Sequence, residues 1–190
     1  MGRSRLTPER EAELYTAVLD LLREVGYDAL TMDAVATRTR SSKATLYRQW
    51  QGKPELVARA LRHSKPISTQ DIDTGSVRGD FAEFISRTDD RQMAQDSALM
   101  RGLGQAIHGN PDLHQALREV LIDPEMTGLA AMLQRGVDRG EIAADSAALT
   151  FVPHMLIGAF VARQLIEDRC VDAAFLSAYV DAVVLPALGV

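Results

Sequence analysis

Residues Thr31 to Trp50, TMDAVATRTRSSKATLYRQW, decide the fold of this 190-residue chain. They read as two short helices joined by a tight turn. Thr31 can cap the first, because its side-chain oxygen accepts a bond from a first-turn N–H, and Asp33 suits the positive end of the helix dipole. Val35 and Ala36 give that helix a small apolar face. The pattern breaks at Thr39, Arg40 and Ser41. Ser41 or Ser42 can cap a second helix, in which Leu46 and Trp50, four apart, share one side. At about 100° per residue, Leu46 and Trp50 look inward while Ala44 and Arg48 fall on the opposite side. Thr45 and Tyr47 flank them, and Lys43 and Gln49 sit on the borders. A small residue at Ala44 permits close approach to a surface, Arg48 can bond guanine O6 and N7 in parallel, and Tyr47 and Thr45 offer hydroxyls to phosphate oxygens. This helix is suited to a DNA major groove.

The net charge of −5 is at odds with that reading until the chain is divided. Residues 1–65 hold 12 Lys and Arg against 8 Asp and Glu, and residues 66–190 hold 9 against 18. A basic head fit to meet phosphate therefore precedes an acidic body. All three lysines, Lys43, Lys53 and Lys65, lie in the head. Lys53 is expected to be an exposed cation at a helix start, where it opposes the dipole and gains more from a phosphate. Arg3 and Arg5 belong to a short polar arm able to touch a DNA backbone.

The residues around the quoted stretch extend the pattern. Thr7 is a plausible cap with Pro8 just inside its helix. Leu14, Val18, Leu21, Leu22 and Val25 recur at helical spacing until Gly26 ends the run. Tyr15 and Tyr27 are read as packing residues, and Trp50 as a hydrophobic anchor rather than a base-stacking side chain. A fourth helix runs from Lys53 or Pro54 to Arg62.

From about Thr7 to Leu61 the chain resembles the DNA-binding domain of tetracycline-repressor (TetR) type regulators. The matching pieces are Gly26-Tyr27, Ala29-Leu30-Thr31-Met32, Val35-Ala36, Ser42-Lys43-Ala44-Thr45-Leu46-Tyr47, Trp50, Gly52-Lys53 and Glu55-Leu56. The family usually has Gly and then an apolar residue where this chain has Arg40 and Ser41. The resemblance implies a ligand-responsive homodimer, most simply a repressor, bound to a palindromic double-stranded DNA operator. Its DNA contacts would come from Thr31, Ser42, Lys43, Ala44, Thr45, Tyr47, Arg48, Gln49 and Lys53.

The segment 64–75, SKPISTQDIDTG, is the clearest break. It divides a helix-turn-helix domain, residues 1–63, from a helical effector-binding and dimerisation domain, residues 64–190. Beyond the break nearly everything reads as helix and no segment alternates like a strand, so the expected class is all-α: an N-terminal three-helix DNA-binding domain plus a C-terminal helical domain. Pro124 either starts a new helix or kinks a long one. From Ser146 to Ile166 only Arg163 is charged, with Pro153 distorting the first turns, and Asp172 caps a last helix. Apolar character spread so widely around a helix implies contact on more than one side. Phe160, Arg163, Phe175, Tyr179, Val180 and Val183 are the candidates for a face met by a second copy. Met93, Met100, Leu103, Met132, Phe151 and Met155 are the candidates for a pocket, since Met packs against varied shapes. Its ligand would be a small apolar or amphipathic effector.

Other functions find little support. His63, His108, His114 and His154 are scattered without one-face metal spacing. No G-x-S-x-G, P-loop or dinucleotide fingerprint is present, and the expectation is of no enzyme, metal or cofactor. Cys170 stands alone, so no intrachain disulfide can form. No apolar run approaches the ~20 residues of a bilayer span, and the amino terminus has no signal-like apolar stretch. A cytoplasmic protein without a membrane partner is expected. The rival reading is a helical architectural or interaction module that senses no effector.

Overall fold

A computed structural model describes residues 6–64, 69 and 71–190, apart from the side chains of residues 92, 96–98, 100, 101 and 105. The roles expected of Arg3, Arg5 and the Met100 side chain lie outside the described residues. The helices are α1 (Pro8–Ala29), α2 (Met32–Thr39), α3 (Lys43–Gln49), α4 (Lys53–Ser64), α5 (Val77–Ser86) and α6 (Asp90–Gly109). They are followed by α7 (Pro111–Leu117), α8 (Asp123–Asp138), α9 (Ala148–Glu167), α10 (Ala173–Tyr179) and α11 (Leu185–Leu188). There is no strand among the described residues. The protein is all-α.

Two compact units are present: Met1–Pro66 with Leu99–Pro124, and Ile67–Ala98 with Glu125–Val190. Residues 99–124 thus belong with the head, whereas the sequence reading assigns all of 64–190 to one body. The reason is burial. Leu99, Leu103, Leu113, Leu117 and Leu121 share one apolar core with Leu14, Val18, Leu46, Trp50, Leu56 and Leu61. Composition shows the polar break near residue 70 but not which core a later leucine joins.

In the first unit α1 packs on α4 and α2, α2 on α3, and α4 on α7 and the turn after it. Thr7 caps α1, its hydroxyl oxygen accepting the Arg10 N–H at 3.3 Å. Near its end α1 is kinked at Gly26, whose φ of 75° and ψ of 171° suit a residue without Cβ. That kink buries Tyr27 while Val25 stays exposed.

Pro124 is the second residue of α8, which continues from α7 through a π-helical turn, so both alternatives hold in part: a helix starts here, inside one continuous helical run. Residues Arg118–Ile122 form a π-helical turn, with the Asp123 N–H bonding back to the Arg118 carbonyl, and Pro124 stands two residues beyond it. Proline has no N–H for the carbonyl four residues earlier, and its ring crowds that oxygen. The widened turn relieves the crowding, and the Arg62 guanidinium of α4 donates to the Val120 carbonyl at 2.8 Å. The last helix repeats the device: Val180–Val184 is π-helical, and Pro186 follows two residues later.

The core of the second unit is built from α5, α8, α9 and the final helical run, with Phe81, Leu129, Met132, Val152, Leu176 and Val184 inside. Asp172 caps α10, its carboxylate accepting the Phe175 N–H at 2.7 Å. Arg163 of α9 lies 3.1 Å from the same carboxylate and 4.2 Å from the centre of the Phe175 ring. That guanidinium, with the capped N–H, holds the Asp172 carboxyl below its usual range.

Helix α9 buries Val152, Ala159 and Arg163 in this core, with Leu149, Met155 and Leu156 half-buried against it. Phe151, Ile157, Phe160, Val161, Leu165 and Ile166 stay exposed, Leu165 at 84% and Ile166 at 79%. The helix is 20 residues long, and an 18-residue window of it has a mean hydropathy of 1.4. By length and composition it is therefore apolar enough to cross a membrane, which overturns the expectation that no such run exists. The interruptions by His154 and Arg163 hide it from a count of uninterrupted apolar residues.

Candidate nucleic-acid interface

The helix-turn-helix is set by local bonds. Thr31 caps α2, accepting the Ala34 N–H at 3.1 Å. Ser42, rather than Ser41, caps α3, accepting the Thr45 N–H at 3.1 Å and lying 2.9 Å from the Thr45 hydroxyl. A helix of seven residues is too short to hold itself, so burial of Leu46 and Trp50 anchors it. The Trp50 indole N–H donates to the Tyr15 hydroxyl at 3.3 Å, and the two rings meet edge-on with centres 5.8 Å apart. The Tyr15 hydroxyl in turn donates to Glu11 at 2.8 Å. Desolvation pushes the Tyr15 phenol up to about 12. Trp50 is an anchor.

With that face buried, Ser42, Lys43, Ala44, Tyr47 and Arg48 are exposed, Thr45 and Gln49 are half-buried, and Thr31 is exposed at the start of α2. These side chains form one outward surface as the 100° spacing implies. What the spacing does not show is which cations are already neutralised. Lys43 is ion-paired with Asp33 of α2. Arg38 grips Glu24 of α1 through two bonds, 3.0 and 2.7 Å, and holds that carboxyl below its usual range. Arg10 pairs with Glu13 at 2.7 Å, Arg23 with Asp20 at 2.9 Å and Arg59 with Glu55 at 2.7 Å. Among the described residues Arg40 and Arg48 have no such partner.

Lys53 departs from its expected exposure. It is half-buried, its ammonium donating to the Tyr27 carbonyl at 2.9 Å and lying 4.1 Å from the centre of the Tyr27 ring. The carbonyl and ring offer, across 26 residues of sequence, the negative potential that the start of α4 lacks. Arg40 departs in its backbone. It caps α2 in the left-handed region, φ 49° and ψ 40°, where a side chain costs about 1–2 kcal/mol. The residue type at the family's usual glycine position is the signal that marks it in the sequence.

The candidate pocket residues gather only in part. Leu103 is in the core of the first unit, Met132 is in that of the second, Met93 and Met155 pack against the second core, and Phe151 is more than half exposed. Apolar residues on separate helices join different cores, so type alone cannot group them. A cavity of about 390 Å³ lies instead on the first unit, lined by Arg10, Glu13, Leu14, Ala17, Arg38, Thr39 and Arg40. The candidate interface residues divide similarly. Phe160 and Val183 are exposed, Phe175 and Tyr179 are half-buried, and Arg163 and Val180 are buried in their own unit. Arg163 is held by its carboxylate and ring, and Val180 by the apolar core, so neither offers a free surface.

Residues 14–60 match the family of bacterial regulatory proteins called tetR, and residues 71–183 match the tetracyclin repressor-like C-terminal domain. An uncharacterized HTH-type transcriptional regulator of Mycobacterium tuberculosis is 37% identical over 94% of this chain and 88% of its own length. A DNA-binding transcriptional repressor, TetR, of Mycobacteroides abscessus is 32% identical over 93% of this chain and 92% of its own. Among solved structures, the TetR family transcription regulator SCO0332 superposes with a TM-score of 0.67 at 29% identity, covering 94% of this chain and 98% of that one. Salmonella enterica GusR, at 16% identity and a TM-score of 0.68 over 99% of this chain and all of its own, shares the fold. These family relatives are regulators rather than enzymes. From the capped, outward-facing α3 to the helical second unit, the chain belongs to the TetR family of bacterial DNA-binding transcriptional regulators.

Proposed function

We propose that the protein is a cytoplasmic homodimeric repressor, released from a palindromic operator by a small apolar or amphipathic effector. The observation that carries DNA reading is α3, which exposes Ala44, Tyr47 and Arg48, the last without an ion-pair partner among the described residues, on one side while Leu46 and Trp50 fix its other side. Arg48 reads a base edge. Ser42, Lys43, Thr45 and Gln49 take the surrounding backbone and base positions, as does Thr31 from α2. Two copies pair through the exposed apolar face of α9, which removes that face from water without a bilayer and sets two recognition helices about 34 Å apart or a multiple of that. The relative from Mycobacteroides abscessus, named a repressor, supports that sense of regulation. The methionines on the second core, Met93, Met126, Met132 and Met155, support a body able to repack around a ligand.

The test is binding to DNA from the chain's own promoter region and to random DNA at several salt concentrations. Tighter, salt-dependent binding of the promoter is expected; equal affinity for both would refute sequence reading. Leu103 in the first core and the exposed Phe151, which stand apart from the methionines of the second core, favour a second reading, a DNA-binding module that senses nothing. A ligand panel separates the two: compounds that raise the melting temperature should lower operator affinity, and a panel that never alters DNA affinity supports the second reading.

A further inference from the structure

The cavity of about 390 Å³ beside the helix-turn-helix is edged by three arginines, Arg10, Arg38 and Arg40. Two are neutralised by Glu13 and Glu24, and Arg10 also donates to the Thr39 carbonyl. Arg40 is exposed and has no partner among the described residues. Its backbone is the unusual part. The described non-glycine residues with positive φ are Arg40 and Asp168. An aspartate enters the left-handed region readily because its short polar side chain bonds locally, whereas arginine has no such compensation. The chain therefore keeps a strained cation where glycine would sit without strain, the pattern expected of a residue retained for binding. Arg40 stands two residues before Ser42, the cap of α3. A helix lying in a major groove about 12 Å wide is bordered by phosphates, and side chains at its entry meet the backbone first.

We infer that Arg40 is a DNA-backbone contact: its guanidinium, the one of the three without a carboxylate partner among the described residues, binds a phosphate at the rim of the groove that α3 enters. This rests on α3 being the recognition helix. The contact carries no sequence information, so it adds affinity for operator and random DNA alike.

The strain makes the test self-controlling. Arg40→Gly and Arg40→Asn both remove the cation and suit the left-handed backbone, so each should raise the melting temperature of the protein while weakening DNA binding. The loss should be similar on operator and random DNA, and the slope of log affinity against log salt should shallow by about 0.9 per head. Arg40→Lys, which keeps the charge, should retain most of that slope. Unchanged affinity and slope in Arg40→Gly and Arg40→Asn would overturn the inference, as would a loss confined to one base pair of the half-site. Lower stability in both variants would overturn the argument from strain. Inorganic phosphate is the second probe: if it stabilises the wild type but not Arg40→Gly, with DNA affinity unaffected, the cavity takes a free anion and the inference fails. A wild-type protein that binds no DNA refutes the underlying reading instead, whatever the variants do.

Discussion

Helices α3 and α9 both present side chains that their own chain leaves uncovered, yet water treats them oppositely. The outward side of α3 carries Lys43, Tyr47 and Arg48, groups that water solvates well. The outward side of α9 carries Ile157, Val161, Leu165 and Ile166. Burying one aliphatic side chain of that size yields about 1.5–3 kcal/mol, which is what the proposed pairing of two copies would gain at each of them. A surface meant for intermittent use is polar and free to be empty; one meant for permanent use is apolar.

The largest effect expected from this contrast is at α9. Val161→Glu and Leu165→Glu should each place an unpaired charge between two copies, costing several kcal/mol of association, while each subunit remains helical. Val180→Glu should behave differently, because Val180 is 3% exposed in the core of its own unit; the fold itself should fail. Sedimentation together with circular-dichroism melting separates these outcomes. Unchanged dimer affinity in both α9 variants would remove that helix from the interface.

The next effect is at the DNA face. Arg48→Ala should relax preference at one base pair in each half-site by about 1–3 kcal/mol. Lys53→Ala should weaken all sequences alike if Lys53 also reaches a phosphate. It should in addition lower the stability of the head by about 0.5–1 kcal/mol through loss of its place over the Tyr27 ring. Single-base operator variants and thermal melts measured on both proteins decide; indistinguishable behaviour would deny Arg48 a base contact.

The smallest effect at working pH lies inside the head. Burial pushes the phenols of Tyr15 and Tyr27 up to about 12, the carboxylates nearby adding to the push. A phenol whose folded pKa lies above its ordinary value near 10 is held protonated by the fold. Stability is then intact below about pH 10 and declines as pH climbs toward 12, because the unfolded chain releases its protons first. Tyrosinate absorbance followed alongside melting should show these two rings ionising together with loss of structure. Their ionisation near pH 10 in the intact protein would contradict the burial argument.

Much of α3 was legible in advance, because its determinants are local. Thr31, Ser42 and Asp172 bond to N–H groups three residues ahead, and Leu46 and Trp50 share a side by helical spacing alone. What stayed hidden depends on distant partners. Lys53 reads as a free cation until Tyr27 is brought beside it. Leu103 reads as a pocket residue until the core of the first unit claims it, and Arg163 reads as an interface charge until Asp172 and Phe175 enclose it. Arg40 lies between these cases: its position was visible as a departure from a glycine, but its left-handed backbone needed the structure.

The π-helical turns at Arg118–Ile122 and Val180–Val184 have a consequence for how such chains are compared. Each turn holds an extra residue in the helix, so every side chain downstream is rotated by about 100° relative to an unbroken α-helix. In sequence terms each is a one-residue insertion hidden inside a helix, tied to the proline two places later. A relative that lacks Pro124 or Pro186 has no reason to keep the extra residue. A gap within these helices would then preserve the inward-facing side, whereas a gapless pairing would set core against surface from that point on.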